Sequence, residues 1–227
     1  GIANAGIDLK APLSQTLNAV GTINPDFRNI ENQILSLDFS RFERLTSESR
    51  PFFLEGRDYL SSSIFASQRL QALDMGLNIY GKINDKTSLG VVQTALPGTE
   101  SDTVVNVSNQ ANADTSYRAS FTDRSTNGQK NSAVSVSGGR SFGPYGMYLH
   151  YSGSNDTTQG AGIEQGANAY YSKKEVSVYG SYQAVSTGFL PRLGFFPEID
   201  YKGLQFGANY FKTAVKGPLQ SVVSGVN

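Results

Sequence analysis

Tyr145-Gly146-Met147-Tyr148-Leu149-His150-Tyr151-Ser152 is the stretch that decides the fold. In an extended chain successive side chains point to opposite faces, so Tyr145, Met147, Leu149 and Tyr151 share one face and Gly146, Tyr148, His150 and Ser152 the other. Glycine, hydroxyls and an imidazole on the second face suit a hydrated lumen or a solvent surface, not a dry core. Gly143-Pro144 just upstream supplies turn chemistry. The same alternation returns on both sides. Val134 and Val136 alternate with Ser135 and Ser137 before it, and Ala167, Ala169 and Tyr171, then Val176 and Val178, then Leu204, Phe206, Ala208 and Tyr210 continue it downstream. Towards the N-terminus, Tyr117, Ala119 and Phe121, then Leu89, Val91 and Ala95, then Leu77 and Ile79 keep the period. Ile7, Leu9 and Leu13 with Leu17, Ala19 and Ile23 read as a first hairpin. Asn84-Asp85-Lys86, Thr126-Asn127-Gly128 and Lys173-Lys174 mark turns, residues 97–102, 109–114 and 153–160 read as turns or polar loops, and residues 34–42 and 64–70 as short strands.

Composition supports this reading. The chain of 227 residues balances 19 basic against 19 acidic side chains, so it has no long-range field to concentrate a polyanion, and nucleic-acid binding is set aside. The absence of cysteine removes disulfides, thiolate metal sites and thiol catalysis together. Hydrophobic residues reach only 38% while the chain carries 24 Gly, 12 Tyr and 13 Phe, a balance that fits a barrel spreading apolar side chains singly over an outer surface. No run of about 18 apolar residues exists for a spanning helix. Crossing a bilayer would therefore require a closed sheet, the other structure that satisfies every backbone amide in hydrocarbon. Tyr145, Tyr151 and Tyr210 stand close to strand ends, where an interfacial girdle places them. The first ten residues have neither a basic n-region nor an apolar h-region, so they are not a signal peptide.

Residues 24–56 break the repetition. They contain Asn24-Pro25-Asp26-Phe27, Glu31, Phe42-Glu43 and Glu48-Ser49-Arg50-Pro51-Phe52-Phe53-Leu54-Glu55-Gly56. Asn24-Pro25-Asp26 is a turn signal, because proline fixes its own φ and pushes the preceding residue out of the α region. Arg50-Pro51 and Glu55-Gly56 bracket an apolar cluster, and residues 44–60 read as a loop or short helical turn folded against the barrel. This pattern resembles a barrel domain of unknown function found in bacterial outer-membrane proteins, behind an N-terminal domain like a family 9 carbohydrate-binding module. Pro191-Arg192 and Asp200-Tyr201 resemble a second element of that family, with residues 193–199 between them departing from it. The resemblance implies an outer-membrane location, membrane lipid as a partner, and a glycan or other small ligand. It also implies structural roles for Asn24, Pro25, Asp26, Phe27, Glu31, Phe42, Glu43, Arg50, Pro51, Phe52, Phe53, Glu55, Gly56, Pro191 and Arg192. Since the chain ends on Val226-Asn227 and not on an aromatic, it reads as a segment of a larger protein, with the binding module in front and further strands behind.

Candidate chemistry is sparse. His150 is the only histidine, which rules out a histidine metal cluster, and its polar face makes a lumen-lining or interstrand role weigh more than a Ser-His-Asp arrangement. No Asp-rich calcium loop is present. Residues 160–166 contain Gly160, Gly162 and Gly166, but the spacing is wrong for a dinucleotide fingerprint and reads as glycine in a barrel turn or strand. Tyr80, Tyr148 and Tyr179 fall on polar faces, where they fill space or stack on sugars. The carboxylates of the 24–56 stretch lie among arginines, which favours an ion-pair network pinning a loop inside the barrel, with Arg50 pairing Glu43 or Glu31 and holding Phe52 and Phe53 to the wall.

The expected fold is all-β, an antiparallel meander of outer-membrane β-barrel type, a partial barrel forming a single domain over residues 1–227. Residues 24–60 are its inserted or packed element, and residues 64–215 are its successive hairpins. The expected role is ligand passage or surface handling in the envelope, with no cofactor, and this reading outweighs an enzymatic one without excluding it. The competing readings are a barrel-borne hydrolase using Glu31, Glu43 and Glu55, and a soluble all-β binding or adhesin module.

Overall fold

The computed structural model describes residues 6–25, 34–35, 44–45, 47–70, 73–213 and 221–226. Strands β1 (Ile7–Pro12) and β2 (Leu17–Ile23) form the first hairpin, and a two-residue pair, β3 (Ile34–Leu35) and β4 (Arg44–Leu45), stands apart from the main sheet. Two single-turn helices follow, α1 (Pro51–Leu54) and α2 (Arg57–Leu60). The remaining strands are β5 (Met75–Lys82), β6 (Thr87–Leu96), β7 (Glu100–Asn112), β8 (Thr115–Thr126), β9 (Gln129–Phe142), β10 (Tyr145–Asp156), β11 (Gly160–Lys173), β12 (Val176–Val185), β13 (Tyr201–Thr213) and β14 (Ser221–Val226). All but β3 and β4 join one 12-stranded sheet in the order β1-β2-β5 and then consecutively to β14, each pair antiparallel. This is the expected fold, an all-β antiparallel meander of outer-membrane β-barrel type with a packed element inside its curve.

The two faces of the sheet are the reverse of a soluble domain's. On β10, Ser152, Ser154 and Asp156 are buried, whereas Tyr145, Met147, Leu149 and Tyr151 are 44–53% exposed. Leu204 and Phe206 on β13 are exposed at 68% and 65%, while Asn78, Asn106, Thr122 and Glu164 on other strands are no more than 2% exposed. A two-layer sandwich would bury the apolar face; here that face is outermost, the arrangement expected of a barrel-type sheet. Cross-strand neighbours share a face, so the assignment carries from strand to strand. Strand length fits too. The 14-residue β9 runs about 46 Å at about 3.3 Å per residue. Tilted by about 40°, it would cover about 35 Å along a bilayer normal, enough for a hydrocarbon core of about 30 Å.

Several boundaries differ from the sequence reading, for one reason. Residues 153–156 and 160 belong to β10 and β11, and residues 100–102 and 109–112 belong to β7. The polarity of Asp102, Ser154 and Asp156 among them reflects an inward face and not a loop. Residues 64–70, expected as a strand, form an isolated bridge between Ser62 and Phe65 and a 3-10 turn at Ser67–Arg69, because this segment lies inside the sheet instead of joining it. Of the strand expected over 34–42, Ile34–Leu35 is extended and the rest lies outside the described residues. Asn24 sits at φ 49° with its N–H donating to the Asp74 carbonyl at 2.6 Å, the turn expected there, with Pro25 following it.

Candidate functional site: a half-filled lumen

The inward face is organised in rows of cross-strand partners. The first row, at the end where the long β2–β5 and β12–β13 connections emerge, comprises Gly76, Thr94, Asp102, Arg124, Asn131 and Asp156. The second comprises Asn78, Val92, Val104, Thr122, Ala133 and Ser154. In the third, Tyr80, Gly90, Asn106, Ser120, Ser135 and Ser152 lead on to Glu164. A plug built from residues 47–70 and 186–199 covers these three rows. Its two segments are tied to each other by Ala66 N–H to the Leu193 carbonyl at 2.7 Å and by Arg69 Nε to the Gly194 carbonyl at 3.2 Å.

The second row shows why the plug docks there. Phe52, Phe53, Leu60, Leu70 and Leu193 pack against Val20, Val92 and Val104. Ile64 and Phe189 pack against Ala133 and Val185. Proline at the first position of α1 presets its φ, and the turn buries Phe52 and Phe53, whose rings meet edge to face at 4.9 Å. Helices of one turn leave their carbonyls without intrahelical partners. Wall asparagines take up that role. Asn78 Nδ2 donates to the carbonyls of Phe52 and Glu55 at 3.2 and 2.8 Å, and Asn106 Nδ2 to the Tyr59 carbonyl at 2.5 Å. Asn131 clasps the second segment, donating to the Leu190 carbonyl at 2.7 Å and accepting from Arg192 N–H at 2.9 Å. Two glycines make the contact possible: Gly56 is left-handed at φ +67° with the Tyr80 ring where a Cβ would stand, and a Cβ on Gly162 would overlap the Phe189 backbone nitrogen.

Charged pairs surround this apolar layer. Arg50 pairs with Glu48 at 2.8 Å, both side chains almost fully buried, donates to the Ser67 and Leu70 carbonyls, and lies 4.2 Å from the Phe53 ring centroid. The partner found for Arg50 is Glu48; Glu31 and Glu43, the partners expected for it, lie outside the described residues together with Asp26, Phe27 and Phe42. Arg192, next to Pro191, pairs with the buried Asp156 at 2.5 Å. Arg124 pairs with Asp102 at 2.7 Å and Glu100 at 3.2 Å, and reaches the Arg69 carbonyl at 3.0 Å. Glu55 receives Lys10 of β1 at 2.9 Å and the Tyr80 hydroxyl. Burial pushes the Glu48 carboxyl up, but hydrogen bonds from Arg50 and Ser67 outweigh it and hold the group below the usual carboxylate range. The Tyr80 and Lys10 hydrogen bonds hold Glu55 below that range as well.

His150 points inward, its Nε2 2.6 Å from Glu164 Oε1, an oxygen that also accepts from Gln183 at 3.3 Å. Its neighbour along the strand on the same face, Ser152, donates to Ser135 at 3.0 Å. Among the described residues no group of three His, Asp or Glu side chains could hold a metal. Tyr80 belongs to the plug contact, 6.0 Å from Tyr59, and Tyr148 stacks loosely 5.7 Å from His150. Gly160, Gly162 and Gly166 lie in β11. Asn78, Asn106, Asn131 and Asp156, which do most of the holding, were not singled out from the sequence. Alternation places them inward, but nothing local distinguishes them from other inward polar residues.

Together these features define a barrel-type antiparallel sheet whose inward face carries, among the described residues, a plug over three of its rows. No known family profile matches the chain, and no curated protein matches it significantly. Among solved structures it is similar to the crystal structure of Acinetobacter baumannii OccAB1, at a TM-score of 0.44 and 12% identity over 98% of this chain. The chain spans 62% of the length of that protein's chain.

Proposed function

We propose that the chain is the barrel portion of a bacterial outer-membrane protein, seated in lipid, which passes or handles a small ligand at its half-plugged lumen. The observation that carries this reading is the inverted sheet: large apolar side chains such as Leu149, Leu204 and Phe206 face outward, while Asn, Ser, Thr and paired charges face inward. The resemblance of residues 24–56 to an envelope barrel domain associated with carbohydrate-binding modules directs the ligand reading towards glycans. A gel comparison tests the membrane reading. Detergent-folded protein should migrate differently before and after boiling, and vesicle-inserted protein should protect β8–β11 from added protease. A protein that stays monodisperse without detergent and shows no mobility shift would overturn it.

A further inference from the structure

The row beyond the plug differs from the three it covers. Register partners lead from Lys82 through Ser88, Ser108, Arg118 and Ser137 to His150. Among the described residues no plug segment covers this fourth row, and a cavity of about 490 Å³ opens against it, lined by Lys82, Lys86, Ser108, Arg118 and Ser137 among others. The arginines in and against the plug, Arg50, Arg124 and Arg192, are each locked to a carboxylate. By contrast, the side-chain nitrogens of Lys82, Lys86 and Arg118 have no ion pair or hydrogen bond among the described residues. Three cations thus share the cavity with one carboxylate, Asp85 on the adjoining turn.

We propose that this row is a binding site for a small oxyanion, an inference that rests on the barrel reading above. The chemistry follows from the residue types. A guanidinium presents parallel N–H donors that match two oxygens of a phosphate or carboxylate, and an ammonium adds a compact charge. Ser88, Ser108 and Ser137 place rotatable hydroxyl donors between and beside the two cationic strands. Lys82 and Arg118 stand three strands apart, about 14 Å at about 4.8 Å per strand, a span that two long side chains and a hydrated anion fill. An excess of like charge on a concave surface attracts counter-ions to it.

Equilibrium dialysis of the detergent-folded protein against labelled inorganic phosphate at low ionic strength tests the site. Saturable binding of about one phosphate per chain is expected, weakened about tenfold or more by Arg118→Gln and by Lys82→Gln, and weakened by added salt. Ser108→Asp, which sets a carboxylate opposite Arg118 without shortening a cation, should weaken it equally. Heat-modifiable protein that binds no phosphate, or binds it unchanged in all three variants, overturns the site while leaving the barrel reading standing. Protein with no mobility shift on boiling instead removes the barrel reading on which the site rests.

Discussion

Phe53→Ala tests whether the plug is a separately docked unit. Phe53 is 1% exposed, its ring meets Phe52 edge to face, and the Arg50 guanidinium covers it at 4.2 Å. Truncating a buried phenylalanine costs about 3–5 kcal/mol, through lost transfer energy and the cavity left behind. Losing the cation–π contact adds about 1 kcal/mol. None of the ladder hydrogen bonds of the 12-stranded sheet involves Phe53, so the loss falls on plug docking and not on the wall. At about 1.4 kcal/mol per tenfold change, 4 kcal/mol is close to a thousandfold in the open population. Native-state hydrogen exchange should therefore show the amides of α1 and α2 exchanging about a thousandfold faster, with β8–β11 amides and the boiling-dependent gel shift unchanged. Unaltered exchange in the plug would refute the packing account. Loss of the gel shift would show that plug and wall unfold together, and would refute the separation.

The same assay carries further predictions. Gly56→Ala should loosen the plug by more than the 1–2 kcal/mol or so of left-handed strain, because the Tyr80 ring occupies the Cβ position; a lowered melting temperature with intact strands is the expected outcome. Asn106→Leu leaves the Tyr59 carbonyl without its wall donor and should cost about 1–3 kcal/mol, read as faster exchange at α2 alone. Glu48 and Glu55 are held below the ordinary value of 4.5, so their contribution is complete above that pH and disappears as pH falls through their lowered folded values. Plug exchange should accelerate on acidification below about 4.5, less steeply in Glu48→Gln, and a plug indifferent to acid would contradict the assignment. Leu149→Arg on the outward face should cost about 2–4 kcal/mol in vesicle folding, and full folding yield would argue against a lipid-facing surface.

Alternation made most of the wall legible, since one face of a strand read from Tyr145, Met147, Leu149 and Tyr151 extends through cross-strand pairing to its neighbours. Strand ends were harder. Where a strand turns its polar side to the plug, as at Ser154 and Asp156, composition alone resembles a loop. The plug was half visible. Pro51, Phe52, Phe53 and Gly56 announced a compact apolar turn, and Pro191-Arg192 a second special segment, but their meeting depends on contacts such as Ala66 to Leu193 between residues more than a hundred apart. The asparagine clamps were illegible for the same reason. An inward Asn reads alike whether it faces water or the carbonyl end of a helical turn.

The rows explain why the inward face is neither uniformly wet nor uniformly dry. A plug with apolar side chains needs apolar wall, so the second row inserts Val92, Val104 and Ala133 among polar neighbours. Its backbone ends need donors, so Asn78, Asn106 and Asn131 stand in or beside that layer. The first row carries charge, and it is neutralised pair by pair, because Asp102 and Asp156 are shut away from water and an unpaired ion there would be costly. The fourth row is released from all three demands. Its cations persist without partners because they are exposed to water at the cavity, and the same exposure leaves them available to an anion. A ligand that displaced the whole plug would have to break every asparagine clamp together with the Arg192–Asp156 and Lys10–Glu55 pairs. One that reaches the cavity over the fourth row meets Lys82 and Arg118 without breaking any of these contacts.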